Sequence, residues 1–319
     1  MKLVLQFLAE ASGRASKNKE GGSTESLEQQ ILKSNPVMEA FGNAKTTRNN
    51  NSSRFGKWTE VLFNPQGAIV GGSIINYLLE KSRIVFQAKD ERNYHIFYQL
   101  FAGAEIEKEM KKDFKLKELS DYHYTNQSGV TTVDTINDEK EYVDLMTACD
   151  VLKMTDQEKD YLMRTTAAVL WLGNVEFQGV GGDDEISEIK ENGALKEAAN
   201  LFKVETAALT KCLTKKLITG TTFKNYSVSA AVDARDSLSK GVYSQMFDWI
   251  IRRINVVLGG AVIKKEAAES GGKIKLTHIG VLDIFGFEYF DTNSFEQLCI
   301  NYCNEKLQFH FNEHIFKLE

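Results

Sequence analysis

Apolar side chains recur at spacings of three and four from about Asp233 to Leu258, through Leu238, Val242, Met246, Phe247, Ile250, Ile251, Ile254 and Leu258. That period predicts the strongest helix of the chain, with the stripe facing the core. Between Lys57 and Ile75 the pattern changes to strand: Trp58, Val61, Leu62 and Phe63 lead into Asn64-Pro65-Gln66-Gly67, and Ala68, Ile69 and Val70 follow. Proline at the second turn position and glycine at the fourth predict a hairpin. The run Leu276 to Leu282 is short, apolar and rich in β-branched residues, as expected of a strand buried on both faces, and it delivers Asp283 at its carboxyl end. Ser294 with Gln297 three residues on predicts a capped helix over 293–319, continued by Phe295, Leu298, Cys299 and Tyr302.

Elsewhere the signals are weaker. An amphipathic helix opens the chain, and the small, polar residues 12–26 predict an exposed loop. Helix resumes at Leu27, pauses at Asn35-Pro36, where Asn35 can cap and Pro36 fits the first helical position, and ends near Gly42. Residues 76–170 read as mostly helical with a polar break around 124–135. Residues 179–193 read as an acidic surface loop, its Gly179, Gly181 and Gly182 too irregular for a phosphate fingerprint, and 259–273 as a glycine- and lysine-rich loop. The fold class expected is α/β, a mixed central sheet with strands at 57–63, 68–75 and 276–282 surrounded by helices. With only two prolines and no proline-rich linker, one continuous domain is the simpler reading.

Composition narrows the function classes. At 319 residues, 42% hydrophobic and 26% charged, the chain has material for a sizeable core. A net charge of −5, from 39 basic and 44 acidic side chains, argues against neutralising nucleic-acid phosphates as the main task. No apolar run approaches a membrane span. Lys2, the stretch Leu3 to Leu8 and Ala9-Glu10-Ala11 imitate a secretory signal, but the stretch is short and broken by Gln6. Cys149, Cys212, Cys299 and Cys303 form no C-x-x-C pair and read as free thiols in a reducing, cytoplasmic compartment.

Two strings concentrate chemistry. Asn49 to Gly56 (NNNSSRFG) sets three amides, two hydroxyls and a guanidinium immediately before a strand. A serine hydroxyl can complete the oxygen shell of Mg²⁺, and amide and backbone N–H groups bind phosphate oxygens. Asp283 to Glu288 (DIFGFE) places a carboxylate at a strand end, a glycine that lets a backbone N–H approach a phosphate, and Glu288, whose charge suits Arg54. A rival string, His310 to His314, matches H-x-x-E-H of zinc proteases, but a third ligand would have to come from Ile315 to Glu319. His95, His123 and His278 show no ligand-like clustering and read as core or surface histidines.

Together the two strings resemble switch I and switch II of the myosin motor domain. NPVMEAFGNAKTTRNNNSSRFGK, YLLEKSR, ERNYHIFYQL, ARDSLSKGVYSQMFDWI and the stretch from Gly280 to Glu319 resemble myosin sequences in the same order. The resemblance implies a P-loop NTPase-like motor fold, with a nucleotide-adjacent variable loop at 12–26, switch I at 43–56, a transducer hairpin at 57–75, a mainly helical upper domain at 76–275, switch II within 276–288 and the start of a relay helix at 293–319. It implies an actin-activated ATPase working on F-actin with Mg²⁺ and ATP or ADP, cytoplasmic and associated with the cytoskeleton, with light chains or calmodulin only on a neck absent here. By resemblance Ser53 would ligate Mg²⁺, Asp283 would act on the metal through water, Ser52 would contact the lytic water and γ-phosphate, and Asn49 would hold phosphate oxygens. Gly286 would hydrogen-bond the γ-phosphate, and Arg54 with Glu288 would seal the site. Gly220, Thr221 and Thr222 mark a regulatory position on an actin-facing loop. Phe285 points to an unconventional class.

The sequence departs from the family in holding no G-x-x-x-x-G-K-S/T string, and it stops within the relay helix. The expectation is a fragment not competent alone. The competing readings are a non-catalytic actin-binding or scaffold remnant and, among motors, kinesin, which the long agreement outside the switches disfavours.

Overall fold

The computed structural model describes residues 2–15, 27–181, 183–290 and 293–318; the loop expected at 12–26 lies largely outside them. In chain order the elements are α1 (Lys2–Ala15), α2 (Leu27–Lys33), α3 (Asn35–Gly42), β1 (Asn43–Ala44), β2 (Ser52–Ser53), β3 (Gly56–Phe63), β4 (Ile69–Tyr77), α4 (His95–Ile106), α5 (Lys108–Asp113), α6 (Asp138–Val151) and α7 (Asp156–Gly173). After them come β5 (Phe177–Val180), β6 (Asp183–Ile189), α8 (Ala194–Phe202), α9 (Thr206–Thr214), β7 (Lys215–Thr219), β8 (Thr222–Asn225), α10 (Val228–Leu258), α11 (Gly260–Glu269), β9 (Thr277–Asp283) and α12 (Phe295–Leu318). Their contacts fall into two compact units. One comprises residues 1–32, 53–80 and 254–319; the other comprises 33–52 and 81–253. Neither is a continuous stretch, so no linker composition marks them.

The first unit is built on an antiparallel sheet in the order β4-β3-β9. The predicted hairpin joins β3 to β4: Gly67 donates its N–H to Asn64 O at 3.0 Å and takes φ 79°, a conformation that favours glycine. The register sets Trp58 opposite Leu282 and Lys57 opposite Asp283. The mixed character expected of the sheet is represented, among the described residues, by an isolated parallel bridge between Gly72 and Gly259. Close approach explains a glycine beside it, since a Cβ on Gly260 would lie 2.3 Å from Gly72 O. Asn255 closes the outer edge of β4 by accepting from Ile74 N–H and donating to Ile74 O, each at 2.7 Å.

Sequence expectations need correction here. Among the described residues β9 pairs with β3 alone, and Thr277 to Ile279 and Leu282 are exposed, so it is not covered on both faces. Its apolar, β-branched composition reports a capacity to pair rather than what lies over it. The stretch read as a loop at 259–273 contains α11, because Ala, Lys and Glu after Gly259 are strong helix formers. In α12 the buried positions are Gln297 and Ile300, while Phe295, Leu298 and Tyr302 are exposed. The capping pair is half formed: Gln297 Oε1 accepts from the N–H and Oγ of Ser294 at 2.8 and 2.7 Å.

The second unit is mainly helical. Its core stacks Tyr243 of α10 on Tyr94 and Phe97, with ring centroids 5.1 and 5.5 Å apart. The Tyr243 hydroxyl donates to Phe41 O at 2.9 Å, which satisfies its buried polar end. The long predicted helix begins earlier than its stripe, at Val228; Met246, Phe247, Ile250, Ile251, Ile254 and Leu258 of the stripe are buried, while Leu238 and Val242 are half-buried and Ser239 and Tyr243 take the inward positions instead. α7 opens with a full capping box, Thr155 with Glu158, which the sequence reading passed over. In α3 Asn35 is the first helical residue and Ser34 takes the cap position, one place earlier than expected. The supposed loop at 179–193 contains β6, paired antiparallel with β5.

Candidate functional site

The asparagine-rich loop belongs to the second unit up to Ser52 and to the first from Ser53. Much of its polar capacity builds the loop itself. The Asn49 N–H donates to Thr46 Oγ1 at 3.1 Å, and Asn49 O accepts from Thr46 N–H at 2.9 Å. Asn49 Oδ1 accepts from Asn51 N–H at 2.9 Å, and Asn50 Nδ2 donates to Thr135 Oγ1 at 2.8 Å. For Asn49 this leaves the Nδ2 end as a donor outside these bonds. Ser52 and Ser53 form β2 and are half-buried. Ser53 Oγ donates to Phe55 O at 2.9 Å, which aims the hydroxyl hydrogen at the protein and leaves its oxygen lone pairs for a cation.

Arg54 is 1% exposed and meets Glu288 at two points: Nη1 to Oε1 at 2.6 Å and Nη2 to Oε2 at 3.2 Å. This fork-to-carboxylate geometry is the strong form of a charge-assisted pair. A third partner, which the charge pattern of the two strings does not reveal, joins these two. Arg54 Nε donates to Glu80 Oε2 at 2.6 Å, and Glu80 N–H donates to Arg54 O at 2.9 Å. Burial works against the guanidinium charge, but Glu80 and Glu288 together overcome it and raise its pKa above the ordinary value. No spacing rule singles out Glu80, which lies beyond the end of β4.

Glu288 is held from α12 as well. Asn301 Oδ1 accepts its N–H at 2.8 Å and Asn301 Nδ2 donates to its carbonyl at 2.7 Å, while Gln297 Nε2 reaches Oε2 at 3.4 Å. Helical spacing puts positions 297 and 301 on one face, a signal visible in the sequence only once Glu288 is known to lie against it. Asp283 ends β9 with Lys57 Nζ 3.7 Å from its carboxylate, a partner that follows from the strand register. Gly286 is different: a Cβ there would meet nothing within 4 Å and its φ is not in the left-handed region, so neither packing nor backbone conformation within the described protein demands glycine.

The remaining candidates lie apart from these residues in the chain. Gly220, at φ 57°, turns the β7–β8 hairpin of the second unit, with Thr221 and Thr222 exposed beside it. His310 and His314 stack with centroids 6.4 Å apart, but among the described residues no group of three or more His, Cys, Asp or Glu side chains is placed to hold a metal. No helix among the described residues is long and apolar enough to cross a membrane.

Comparison with known proteins agrees with the resemblance noted from the two strings. A family model described as myosin head (motor domain) matches residues 1–319. The chain is 47% identical over 323 residues to Myosin-I heavy chain of Dictyostelium discoideum, covering 100% of this chain and 13% of that protein. It is 45% identical over 295 residues to Myosin-2 of Saccharomyces cerevisiae, covering 92% of this chain and 18% of that protein. With Myosin-7 of Arabidopsis thaliana the identity is 46% over 324 residues, covering 100% and 18%. This chain thus spans less than a fifth of the length of each of these relatives, and over that span it belongs to the myosin head (motor domain) family.

Proposed function

We propose that this chain supplies the phosphate-sensing loops of an actin-based motor that binds and hydrolyses ATP with Mg²⁺. The observation that carries the reading is the two-point contact of Arg54 with Glu288, 234 residues apart in sequence and both within the first unit. A buried pair of this kind closes one side of a site and excludes water, which suits phosphoryl transfer, where catalysis is mostly positioning and charge stabilisation.

Within it Ser53 would ligate Mg²⁺ directly and Asp283 would act on it through water. The fit is chemical: Mg²⁺ in nucleotide sites takes one or two protein oxygens and fills its shell with water and phosphate, and the Ser53 oxygen is oriented to accept a cation. When bound, the ion offsets phosphate charge. Ser52 would orient the attacking water, Asn49 Nδ2 would bind a phosphate oxygen, and the open space at Gly286 would admit the terminal phosphate to its backbone N–H. Arg54 and Glu288 seal the site. Actin is the partner proposed, through the family, with the β7–β8 hairpin and Thr221 or Thr222 as a place where phosphorylation would adjust it.

Gly286 provides the test. Because an added Cβ meets no atom of the described residues within 4 Å, Gly286→Ala should leave thermal unfolding nearly unchanged. In a motor that carries this segment, the same change should lower single-turnover ATP hydrolysis by about 100-fold or more, the usual cost of losing an oriented N–H donor. Normal hydrolysis by that variant would remove the phosphate from this position.

A further inference from the structure

His95 was read from the sequence as a core or surface histidine. It opens α4, its ring is buried, and Nε2 lies 3.1 Å from Asn51 Oδ1. The Asn51 side chain has its orientation set independently. Its Nδ2 donates to Glu39 Oε2 at 3.1 Å, and its Oδ1 accepts from Asn43 Nδ2 at 2.9 Å. A carboxylate only accepts, so the amino end of Asn51 faces Glu39 and the oxygen faces Asn43 and His95. The imidazole nitrogen that meets this oxygen must carry the hydrogen, which fixes the Nε2–H tautomer and leaves Nδ1 bare and, among the described residues, without a partner. Burial first, then the Arg92 and Arg83 guanidiniums, lower the pKa of this ring to about 3. The position therefore needs a donor without a charge.

We propose that His95 is a positioning residue for the asparagine-rich loop: its Nε2–H pins the Asn51 amide, and Asn51, through its N–H bond to Asn49 Oδ1, fixes the backbone leading into Ser52 and Ser53. A cation in its place would add a third positive charge beside Arg92 and Arg83, and an aliphatic side chain would leave the Asn51 oxygen one donor short. The functional weight rests on the reading that this loop meets a phosphate; the geometric claim does not.

Amide hydrogen exchange on the full chain, without nucleotide, tests it. His95→Leu and Asn51→Ala should each speed exchange of the amides of residues 49–53 by about tenfold, the effect of losing one net hydrogen bond in a local opening. His95→Gln, which keeps a neutral N–H donor, should stay close to the parent in that loop even if the unfolding midpoint falls. A loop unchanged in His95→Leu, or alike in His95→Leu and His95→Gln, overturns the proposal. Should His95→Leu fail to fold, Asn51→Ala decides: an unaltered loop there overturns it equally. Since the readout needs no ligand, failure of the phosphate reading cannot be mistaken for failure of this one.

Discussion

At the scale of single residues, Arg54 is shared by Glu80 and Glu288, and that sharing changes what substitution should do. Glu288→Gln or Glu80→Gln leaves the guanidinium one carboxylate, whereas the double change leaves a buried charge with none. Each single should cost about 1–3 kcal/mol and the double more than their sum, read by urea denaturation. His95 gives a pH dependence with a definite sign. Its folded-state pKa lies near 3 against an ordinary 6.5, so the unfolded chain takes up the proton first and stability contributed by this group is lost as pH falls below 6.5. The groups acting on it are Arg92 and Arg83. Its contribution to the slope should approach about 1.4 kcal/mol per pH unit through pH 6 to 4 and vanish in His95→Gln. Arg54 and Glu288 were legible as a pair because opposite charges stood in two recognisable strings. Glu80, Lys57 and His95 were not, since their roles arise from register and tertiary contact, which one-dimensional spacing does not encode.

At the scale of elements, α12 shows how a helix gains a role from its polar face. Gln297 and Asn301 point at Glu288 while the apolar residues that made the helix recognisable are exposed. The Asn301 amide makes both possible backbone bonds to Glu288, so a shift of that residue displaces the start of α12 or breaks two hydrogen bonds. Asn301→Ala should therefore cost about 1–3 kcal/mol in stability and speed exchange of the Glu288 amide, while Asn304→Ala, whose side chain donates to Ile300 O within its own helix, should leave that amide unchanged. Hydrogen exchange of the peptide covering 284–292 checks both. The hairpin of β3 and β4 was legible because Asn64-Pro65-Gln66-Gly67 dictates its turn, and α10 because its period is long. α11 and β6 were missed where glycine and charge outweighed a short helical or alternating pattern.

For the molecule as a whole, family membership was legible from five strings in order, whereas the division into two compact units was not, because each unit gathers separated stretches. The contacts proposed for a terminal phosphate and a metal lie in a sequence that holds no G-x-x-x-x-G-K-S/T string. Titration calorimetry of this chain with MgATP should accordingly give a dissociation constant weaker than about 1 mM. If Arg54 and Glu288 act as a charge pair, exchanging their charges should restore function, and single-turnover hydrolysis in a motor carrying this segment reads this out. Glu80 must be neutralised as well, since a carboxylate introduced at position 54 would otherwise face it. On a Glu80→Gln background, Arg54→Glu and Glu288→Arg should each lower hydrolysis by about 100-fold or more, and the two together should recover at least about tenfold. A combined variant no faster than either single one would show that Arg54 and Glu288 do not act as a charge pair.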